Sequence, residues 1–179
     1  MPEIEIRPAV FIDLPVLANL DHSVETAYVW QMDRLIDNGH VTVNFRELRL
    51  PRKVRVEYPN PSIWENPDIL DQPGLLVAES QGHTIGYIHV KPTALPSTAW
   101  VKDLAVREDL RRKGIGTALV LAAQEWALHH NLRRMVLEMQ SKNFPAIQMA
   151  IKLGYEFSGY NDHYYANQDI ALFFACFVR

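Results

Sequence analysis

The chain has 179 residues, of which 48% are apolar and 22% charged, the length and composition of one ordinary globular domain. These values exclude a disordered chain, a collagen-like fibre and a small protein held together by disulfides. The 18 Lys and Arg residues against 21 Asp and Glu residues give a net charge of -3. This charge argues against broad nucleic-acid binding, which normally needs a basic excess.

Several features of the sequence predict a cytoplasmic protein. The single cysteine, Cys176, cannot form an internal disulfide, and the chain has no Cys and His spacing typical of a metal site. The first residues lack the basic start and apolar stretch of a signal peptide. The longest apolar run, Ile170 to Val178, has nine residues, whereas a membrane-spanning helix needs about 20. We therefore expect no metal site and no membrane contact.

Two short elements are expected near the N-terminus. Ile4 and Ile6 alternate with charged residues and predict a first strand that ends at Pro8. Asp13 is expected to cap a helix that runs to Leu20.

The next segment predicts a helix followed by two strands. Apolar residues recur at helical spacing over residues 24–36, and the pattern stops before Asn38-Gly39, which is typical of a helix end. Alternating apolar residues over 41–45 and 54–58 predict a pair of strands that turns near Pro51.

Prolines are concentrated in one part of the chain, because five of the eleven lie between positions 51 and 73. This density predicts a loop, either a lid that faces a substrate or a plain surface connection. The sequence shows no clear domain linker. We expect residues 1–179 to form a single domain with this Pro-rich loop at about 51–73.

The second half predicts a regular alternation of strands and helices. Residues 75–79 and 84–90 bracket a turn that contains Gly82 and predict a hairpin. Further strands are expected at 99–106, 133–140, 155–157 and 170–178, and helices at 110–130 and 145–153, the latter capped by Asn143. This order predicts an α/β or α+β fold, in which helices cover a sheet.

A basic turn joins the strand that ends at Val106 to the helix after it, and it reads Arg111-Arg112-Lys113-Gly114-Ile115-Gly116-Thr117. Gly114 and Gly116 have no Cβ, so a bulky anion can approach the backbone closely. The first turn of a helix leaves about four N–H groups without intrahelical partners, and these groups attract anions together with the helix dipole. Because cations at this end of a helix are locally unfavourable, three of them favour a bound pyrophosphate. A solvated basic turn is the alternative.

Two spaced motifs carry a resemblance to a known family. Arg111, Gly114 and Gly116 match a diphosphate-binding pattern of Arg or Gln, two residues, Gly, one residue, and Gly or Ala. A second pattern follows about 30 residues later, and its members here are Asn143, Ala146, Ala150, Gly154 and Tyr155. Over roughly residues 75–160 the chain resembles the GNAT superfamily of acetyl-CoA-dependent N-acetyltransferases. Residues 126–140 and 159–174 look like the streptothricin acetyltransferases within it.

The resemblance implies a fold and a set of cofactor contacts. The fold would be a mixed, mostly antiparallel twisted sheet, flanked by helices, with strands splayed around the acetyl-CoA site. The backbone of Leu104 and Val106 would pair with the pantetheine arm, amides from Arg112 to Thr117 would hold the pyrophosphate, and Asn143 would contact the cofactor or the adjoining wall. The implied acetyl-CoA-binding residues are Leu104, Ala105, Val106, Arg111, Arg112, Lys113, Gly114, Ile115, Gly116, Thr117 and Asn143.

The reaction implied by the resemblance is direct attack of a primary amine on the acetyl thioester in a ternary complex. The acceptor would be a small molecule, antibiotic-like or polyamine-like, or a protein N-terminus. Glu138 matches a strand glutamate that serves as base in ribosomal-protein alanine N-acetyltransferases, so it is the candidate base. A structural hydrogen bond is the alternative role for this carboxylate, and Asp103 is a second candidate base.

The sequence departs from the family at the residue expected to protonate the departing thiolate. Ala150 stands where the family usually has a tyrosine. Tyr155, Tyr160, Tyr164 and Tyr165 are possible substitutes, and Tyr165 is the candidate acid. The missing tyrosine leaves open an alternative function, an acetyl-CoA-binding sensor or interaction module with impaired catalysis. The apolar segment 170–178 predicts either a buried strand or pairing across a homodimer.

Overall fold

The computed structural model describes residues 3–59 and 68–179. Within these ranges the strands are β1 (Glu5–Pro8), β2 (Val24–Asp37), β3 (His40–Val56), β4 (Leu75–Ser80), β5 (His83–Pro92), β6 (Thr98–Val106), β7 (Arg134–Gln140), β8 (Glu156–Asn161) and β9 (Ala171–Phe177). The α-helices in the same ranges are α1 (Leu14–Ala18), α2 (Ile115–His129) and α3 (Phe144–Lys152). None of the helices in the described ranges is long and apolar enough to cross a membrane.

Seven strands form one sheet in the order β1-β4-β5-β6-β7-β9-β8, and β2 pairs with β3 in a separate two-stranded sheet. Within the larger sheet β6 and β7 are parallel, and the other neighbouring pairs are antiparallel. This topology confirms the expected mixed, mostly antiparallel sheet. Because β9 lies between β7 and β8, segment 170–178 contributes a buried strand. A homodimer and the single-domain organisation both stay predictions.

Apolar side chains cover the sheet from both faces. On one face Leu119, Val120 and Ala123 of α2 are fully buried in the main hydrophobic core. On the other face Leu17 of α1 packs with Ile69 in a smaller cluster that includes strand residues. Burial of a leucine side chain stabilises a fold by about 1.5–3 kcal/mol, so these contacts fix the helices against the strands.

The helix expected over residues 24–36 is wrong, because this segment is strand β2. It pairs antiparallel with β3 from Val24↔Val56 to Asp37↔His40. Asn38 and Gly39 have φ values of 44° and 81°, as the tight turn of a hairpin requires. The Asn-Gly dipeptide therefore marks a hairpin turn rather than a helix end.

The turn expected near Pro51 is also wrong, since residues 51–56 continue strand β3. Pro51 lies where the β2–β3 ladder is irregular, between the pairs Tyr28↔Arg49 and Thr26↔Val54. A proline is tolerated there because its missing N–H removes no regular ladder bond. The Pro-rich loop therefore starts after Val56, and residues 60–67 of it lie outside the described residues.

Two predicted helix starts need correction. The helix expected from residue 110 begins at Ile115, because residues 108–110 form a 3-10 turn and the next four make the corner before α2. Asp13 precedes α1 but makes no capping bond with its side chain. Its carboxylate instead accepts a hydrogen bond from the Arg7 guanidinium at 2.8 Å.

The strands predicted in the second half of the chain are present, and β8 extends to Asn161.

Candidate active site

The parallel strands β6 and β7 separate partway along their length. Their ladder has four pairs, from Thr98↔Arg134 to Val101↔Leu137. Beyond these pairs, residues 103–106 of β6 pair with β5 on one side, and no described strand pairs with their other edge. A cavity of about 290 Å³ lies in this split. An open strand edge of this kind can bind an extended ligand as an added strand.

A β-bulge lies at the point of separation. His89 of β5 pairs with Asp103, whereas Val90 pairs with Val101, so Lys102 is an extra residue in β6. Bulges of this type bend a strand and redirect its side chains. Here the bulge immediately precedes the open edge.

The corner before α2 presents backbone donors to the same cavity. Gly114 occupies the N-cap position with a φ of 87° and provides no side-chain cap. The first helical bond runs from the N–H of Ala118 to the Gly114 carbonyl at 3.0 Å. The N–H groups of residues 115–117 therefore precede the helical bonding pattern, and all three residues line the cavity. Such a corner is suited to an anion.

Arg111 has a different role from the other cations of this turn. Its guanidinium donates to the carbonyl oxygens of Val106 at 2.9 Å and Ser23 at 2.7 Å, and also to that of Asp21. The side chain thus joins the corner to the segment before β2. Arg112 is exposed and lines the cavity, so it is the cation of the turn that can meet an anionic ligand.

The cavity brings together most of the residues singled out from the sequence. The lining includes ten of the eleven residues implied for acetyl-CoA binding, namely Leu104, Ala105, Val106, Arg111, Arg112, Gly114, Ile115, Gly116, Thr117 and Asn143. Lys113 is exposed and lies outside this lining. The Asn143 side chain also caps α3 by accepting from the N–H of Ala146 at 3.2 Å, so its two expected roles are compatible.

Glu138 lies on β7, directly after the last residue paired with β6. Its Oε2 accepts hydrogen bonds from Trp100 Nε1 at 2.9 Å and from the Tyr164 hydroxyl at 3.2 Å. The Lys102 ammonium lies 3.6 Å from the same oxygen, and the carboxylate side chain is 6% exposed. The carboxylate is therefore fixed in a wall of the cavity, which it lines.

The four tyrosines considered as substitutes for the missing family tyrosine lie in different places. Tyr155 is in the core, where its hydroxyl donates to Met135 Sδ at 3.0 Å, and Tyr160 packs against Phe45. Tyr165 is buried and, of the four, is the one that lines the cavity. Burial and the negative charge of Glu138 raise the pKa of Tyr165, so its phenol is protonated at neutral pH.

A second polar group lies at the cavity, and the sequence indicated only Asp103 among its members. The Tyr87 hydroxyl donates to Oδ2 of Asp103, and His22 Nε2 lies 2.7 Å from the same hydroxyl. The His22 ring stacks on Tyr58 with centroids 5.0 Å apart. These residues come from four separate segments, so no spacing in the sequence could have linked them.

The charges of the lining residues differ between the two parts of the cavity. The corner at α2 carries backbone N–H groups and Arg112, whereas the diverging strands carry the carboxylates of Asp103 and Glu138 together with the Lys102 ammonium, which lies 3.6 Å from Glu138. The corner therefore suits the anionic group of a ligand, and the two carboxylates between the strands, one of them paired with Lys102, can meet a cationic partner.

Comparison with known proteins identifies relatives of the chain. An N-alpha-acetyltransferase of Sulfurisphaera tokodaii is 35% identical to this chain over 111 residues. The match covers 55% of this chain and 66% of the relative, so it spans just under two thirds of the relative's length. The crystal structure of a nourseothricin acetyltransferase matches with a TM-score of 0.82 at 22% identity, over 98% of this chain and 99% of that one. A Bacillus anthracis protein described as a streptothricin acetyltransferase, crystallised in complex with acetyl coenzyme A, matches with a TM-score of 0.75 at 20% identity, over 98% of this chain and 99% of that one.

The two structural matches confirm the expected fold, an open and mostly antiparallel sheet flanked by helices. Residues 42–155, well over half of the chain, match the sequence model described as the Acetyltransferase (GNAT) family. This match agrees with the two sequence motifs that resemble those of the family, one in the turn around Gly114 and the other beginning at Asn143. The chain therefore belongs to the Acetyltransferase (GNAT) family.

Proposed function

We propose that this protein transfers the acetyl group of acetyl-CoA to a primary amine by direct attack in a ternary complex. One observation carries the proposal: the open edge of β6 leads to the uncapped N-terminus of α2 within a single cavity. An extended pantetheine arm and a pyrophosphate need these two features side by side.

The cofactor contacts follow from this arrangement. The backbone groups of Leu104 and Val106 pair with the pantetheine arm along the open edge of β6. Amides from Arg112 to Thr117 bind the pyrophosphate, and the Arg112 side chain adds positive charge. At Gly116 an added Cβ would lie 3.5 Å from Met149 Sδ, an ordinary contact, so the packing there does not require glycine. An alanine would therefore also fit, in keeping with the Gly or Ala of the motif.

Proton transfer is the chemical task of the protein side chains. An amine with a pKa near 10.4 is neutral in only about one molecule in several thousand at neutral pH, a penalty of roughly 4–5 kcal/mol. Glu138 accepts the amine proton, directly or through a water molecule. The protonated phenol of Tyr165 donates to the departing thiolate, which needs modest help because a thiol pKa lies near 8.5.

The acceptor is a cationic amine, either a small antibiotic-like or polyamine-like molecule or a protein N-terminus. The carboxylates of Asp103 and Glu138 attract such a cation to the cavity. The names of the relatives support both acceptor classes, since they include an N-alpha-acetyltransferase and acetyltransferases for nourseothricin and streptothricin. A cytoplasmic location, as the sequence predicts, is part of this proposal.

The test combines calorimetry with a thiol-release assay. We expect the protein to bind acetyl-CoA and to release thiol with at least one member of a panel containing streptothricin, spermidine and a peptide with a free N-terminal alanine. Glu138→Gln should lower kcat by about 10²-fold while leaving acetyl-CoA binding intact. Glu156→Gln, at an exposed position on β8, is the matched control.

An alternative function is an acetyl-CoA-binding sensor without catalysis, and one observation favours it. Ala150 is fully buried and provides no hydroxyl for protonation of the thiolate. Binding of acetyl-CoA without thiol release on every amine of the panel would support the sensor. Absence of acetyl-CoA binding would contradict both functions.

A further inference from the structure

Acetyl transfer to an ammonium acceptor requires the removal of two protons from one nitrogen. The acceptor starts with three N–H bonds, and the amide product keeps one. In the proposed function the departing thiolate takes its proton from Tyr165, so side chains must hold both protons of the nitrogen until one returns to Tyr165 and the other passes to solvent. Glu138 can hold one proton at a time, so a second proton acceptor at the cavity would complete the transfer. This inference rests on the proposed function.

The hydrogen bonds around His22 fix which of its nitrogens carries a proton. Tyr87 has one hydroxyl proton and donates it to the Asp103 carboxylate. The Tyr87 oxygen can then only accept from His22 Nε2, which lies 2.7 Å away. His22 Nε2 must therefore be protonated, and the Nδ1 of the neutral ring has a free lone pair.

This lone pair belongs to a ring that is held in place at the cavity. The side chain of His22 is 17% exposed and lines the cavity, and Nδ1 has no hydrogen bond with the described residues. The stack on Tyr58, at an interplanar angle of 20°, restricts the ring. Arg111 holds the carbonyl groups of Asp21 and Ser23, the two neighbours of His22 in the chain.

We propose that His22 is a second proton acceptor of this site. A proton passes from the nitrogen of the amine substrate to Nδ1 of His22. The electron pair of the broken N–H bond remains on the amine nitrogen. Tyr87 and Asp103 are positioning residues, because they hold the tautomer that leaves Nδ1 free. Asp103 Oδ2 lies 3.6 Å from Nε2, so it also stabilises the imidazolium that forms. His22 lies outside residues 42–155, so the family match does not cover it.

The tautomer of the His22 ring can be tested in the absence of an amine substrate. Long-range proton–nitrogen spectra of protein labelled with ¹⁵N-histidine should show a proton on Nε2 of His22 and none on Nδ1, with the signals assigned by their loss in His22→Gln. Tyr87→Phe should abolish the preference for this tautomer, because the bridge to Asp103 is gone. A ring protonated at Nδ1 in the unaltered protein, in either charge state, would overturn the proposal.

Kinetics test the role in proton transfer. Glutamine at position 22 keeps an N–H donor for Tyr87 but has no imidazole lone pair. With acetyl-CoA and n-butylamine we expect His22→Gln to lower kcat by about 10²-fold. With trifluoroethylamine, which is mostly neutral at the assay pH, we expect less than about a threefold loss. Tyr87→Phe should show the same dependence on amine basicity, with KM for acetyl-CoA unchanged.

The matched control is His40→Gln, at an exposed position next to the β2–β3 turn, which should leave both rates unchanged. An equal loss for both amines with His22→Gln, or no loss, would overturn the role of His22. If the unaltered protein acetylates neither amine, that result counts against the proposed function with simple amines. The spectra then decide the inference on His22 separately.

Discussion

The indole Nε1–H of Trp100 donates a hydrogen bond to Oε2 of Glu138 at 2.9 Å, across the point where β6 and β7 separate. Trp100 belongs to the part of β6 that still pairs with β7, whereas Glu138 comes directly after the last pair, Val101↔Leu137. The paired part of the ladder thus fixes the carboxylate at the mouth of the split. The position of the candidate base is coupled to the geometry that opens the cavity.

Replacing Trp100 with phenylalanine tests this coupling. The new side chain keeps an aromatic ring near Phe173 but lacks the donor to Glu138. We expect kcat to fall about tenfold, equivalent to ~1.4 kcal/mol, because the carboxylate is held less firmly. The Kd for acetyl-CoA, measured by calorimetry, should not change.

Trp126→Phe is the control, since that ring stacks on His130 and does not line the cavity. Full kcat in Trp100→Phe would show that this hydrogen bond does not matter for turnover.

Gly114 in the corner before α2 and Gly116 in the first turn of α2 should respond differently to alanine. Gly114 has a φ of 87°, a left-handed conformation that costs an L-residue about 1–2 kcal/mol. Gly114→Ala should therefore lower the free energy of unfolding by that amount and weaken acetyl-CoA binding. At Gly116 the nearest atoms to an added Cβ lie 3.5 and 3.7 Å away, so Gly116→Ala should be nearly neutral. Urea unfolding and calorimetry measure both effects, and equal losses for the two variants would contradict the argument.

Two neighbouring arginines of the same corner should separate stability from ligand binding. Arg111→Ala removes the donor shared by three carbonyl groups and should lower the free energy of unfolding by about 2–3 kcal/mol. Arg112 is exposed, so Arg112→Ala should change stability by less than about 0.5 kcal/mol. It should instead weaken acetyl-CoA binding, and more so at low salt, where exposed charges act most strongly. A loss of acetyl-CoA affinity in Arg111→Ala with no loss of stability would reverse these roles.

The corner before α2 could be predicted from the sequence because its chemistry is local. The strand, the turn and the helix follow one another within a few residues, and the Asn143 cap contacts an amide three positions later. The helix expected over residues 24–36 is wrong because the structure of this segment depends on a partner strand. Its outer part exposes Leu35 and Ile36, which lie on opposite faces of β2, so no clean alternation marks a strand. Asn38-Gly39 suits both a helix end and a hairpin, and only pairing with β3 decides between them.

The polar group around His22 could not be predicted, because its members meet through the sheet. His22 and Tyr87 are 65 positions apart, and the partners of Arg111 before β2 are 88 and 90 positions away from it. The bulge at Lys102 also changes the alternation of β6, so the direction of Asp103 does not follow from the sequence pattern. The family pattern predicts Glu138 as the candidate base, whereas nothing in the sequence predicts its hydrogen bond to Trp100.

Asp13 should make stability depend on acidic pH. Hydrogen bonds from the Arg7 guanidinium, with others from Thr84 and the Val10 N–H, lower the pKa of Asp13 to about 2. The ordinary value is 3.8, so the stabilisation is complete above about pH 4 and is lost as the pH falls towards about 2. Asp13→Asn should lower the free energy of unfolding at neutral pH by about 2–3 kcal/mol and flatten this acidic limb.

Urea unfolding across the acidic range measures the effect of Asp13. The control is Asp33→Asn, which removes an exposed ion pair with Arg46 and should cost at most about 1 kcal/mol. An unchanged acidic limb in Asp13→Asn would mean that other carboxylates determine it.

His89 should make stability depend on pH in a higher range. It is fully buried, and among the described residues neither ring nitrogen has a hydrogen-bond partner. Burial, with a smaller repulsion from Lys91, lowers the pKa of His89 from 6.5 to about 4. The unfolded chain therefore binds this proton more readily, and stability falls by up to ~3 kcal/mol as the pH drops from about 6.5 to about 4.

Replacing His89 with leucine removes both unpartnered nitrogens and keeps a side chain of similar volume. We expect the free energy of unfolding at neutral pH to stay the same or rise, because buried polar atoms without partners are costly. The decrease between about pH 6.5 and about 4 should become shallower, whereas His83→Leu, at an exposed position in the β4–β5 hairpin, should keep the original slope. Chemical unfolding at several pH values measures both. A marked loss of stability in His89→Leu would show instead that the imidazole makes a stabilising interaction at this position.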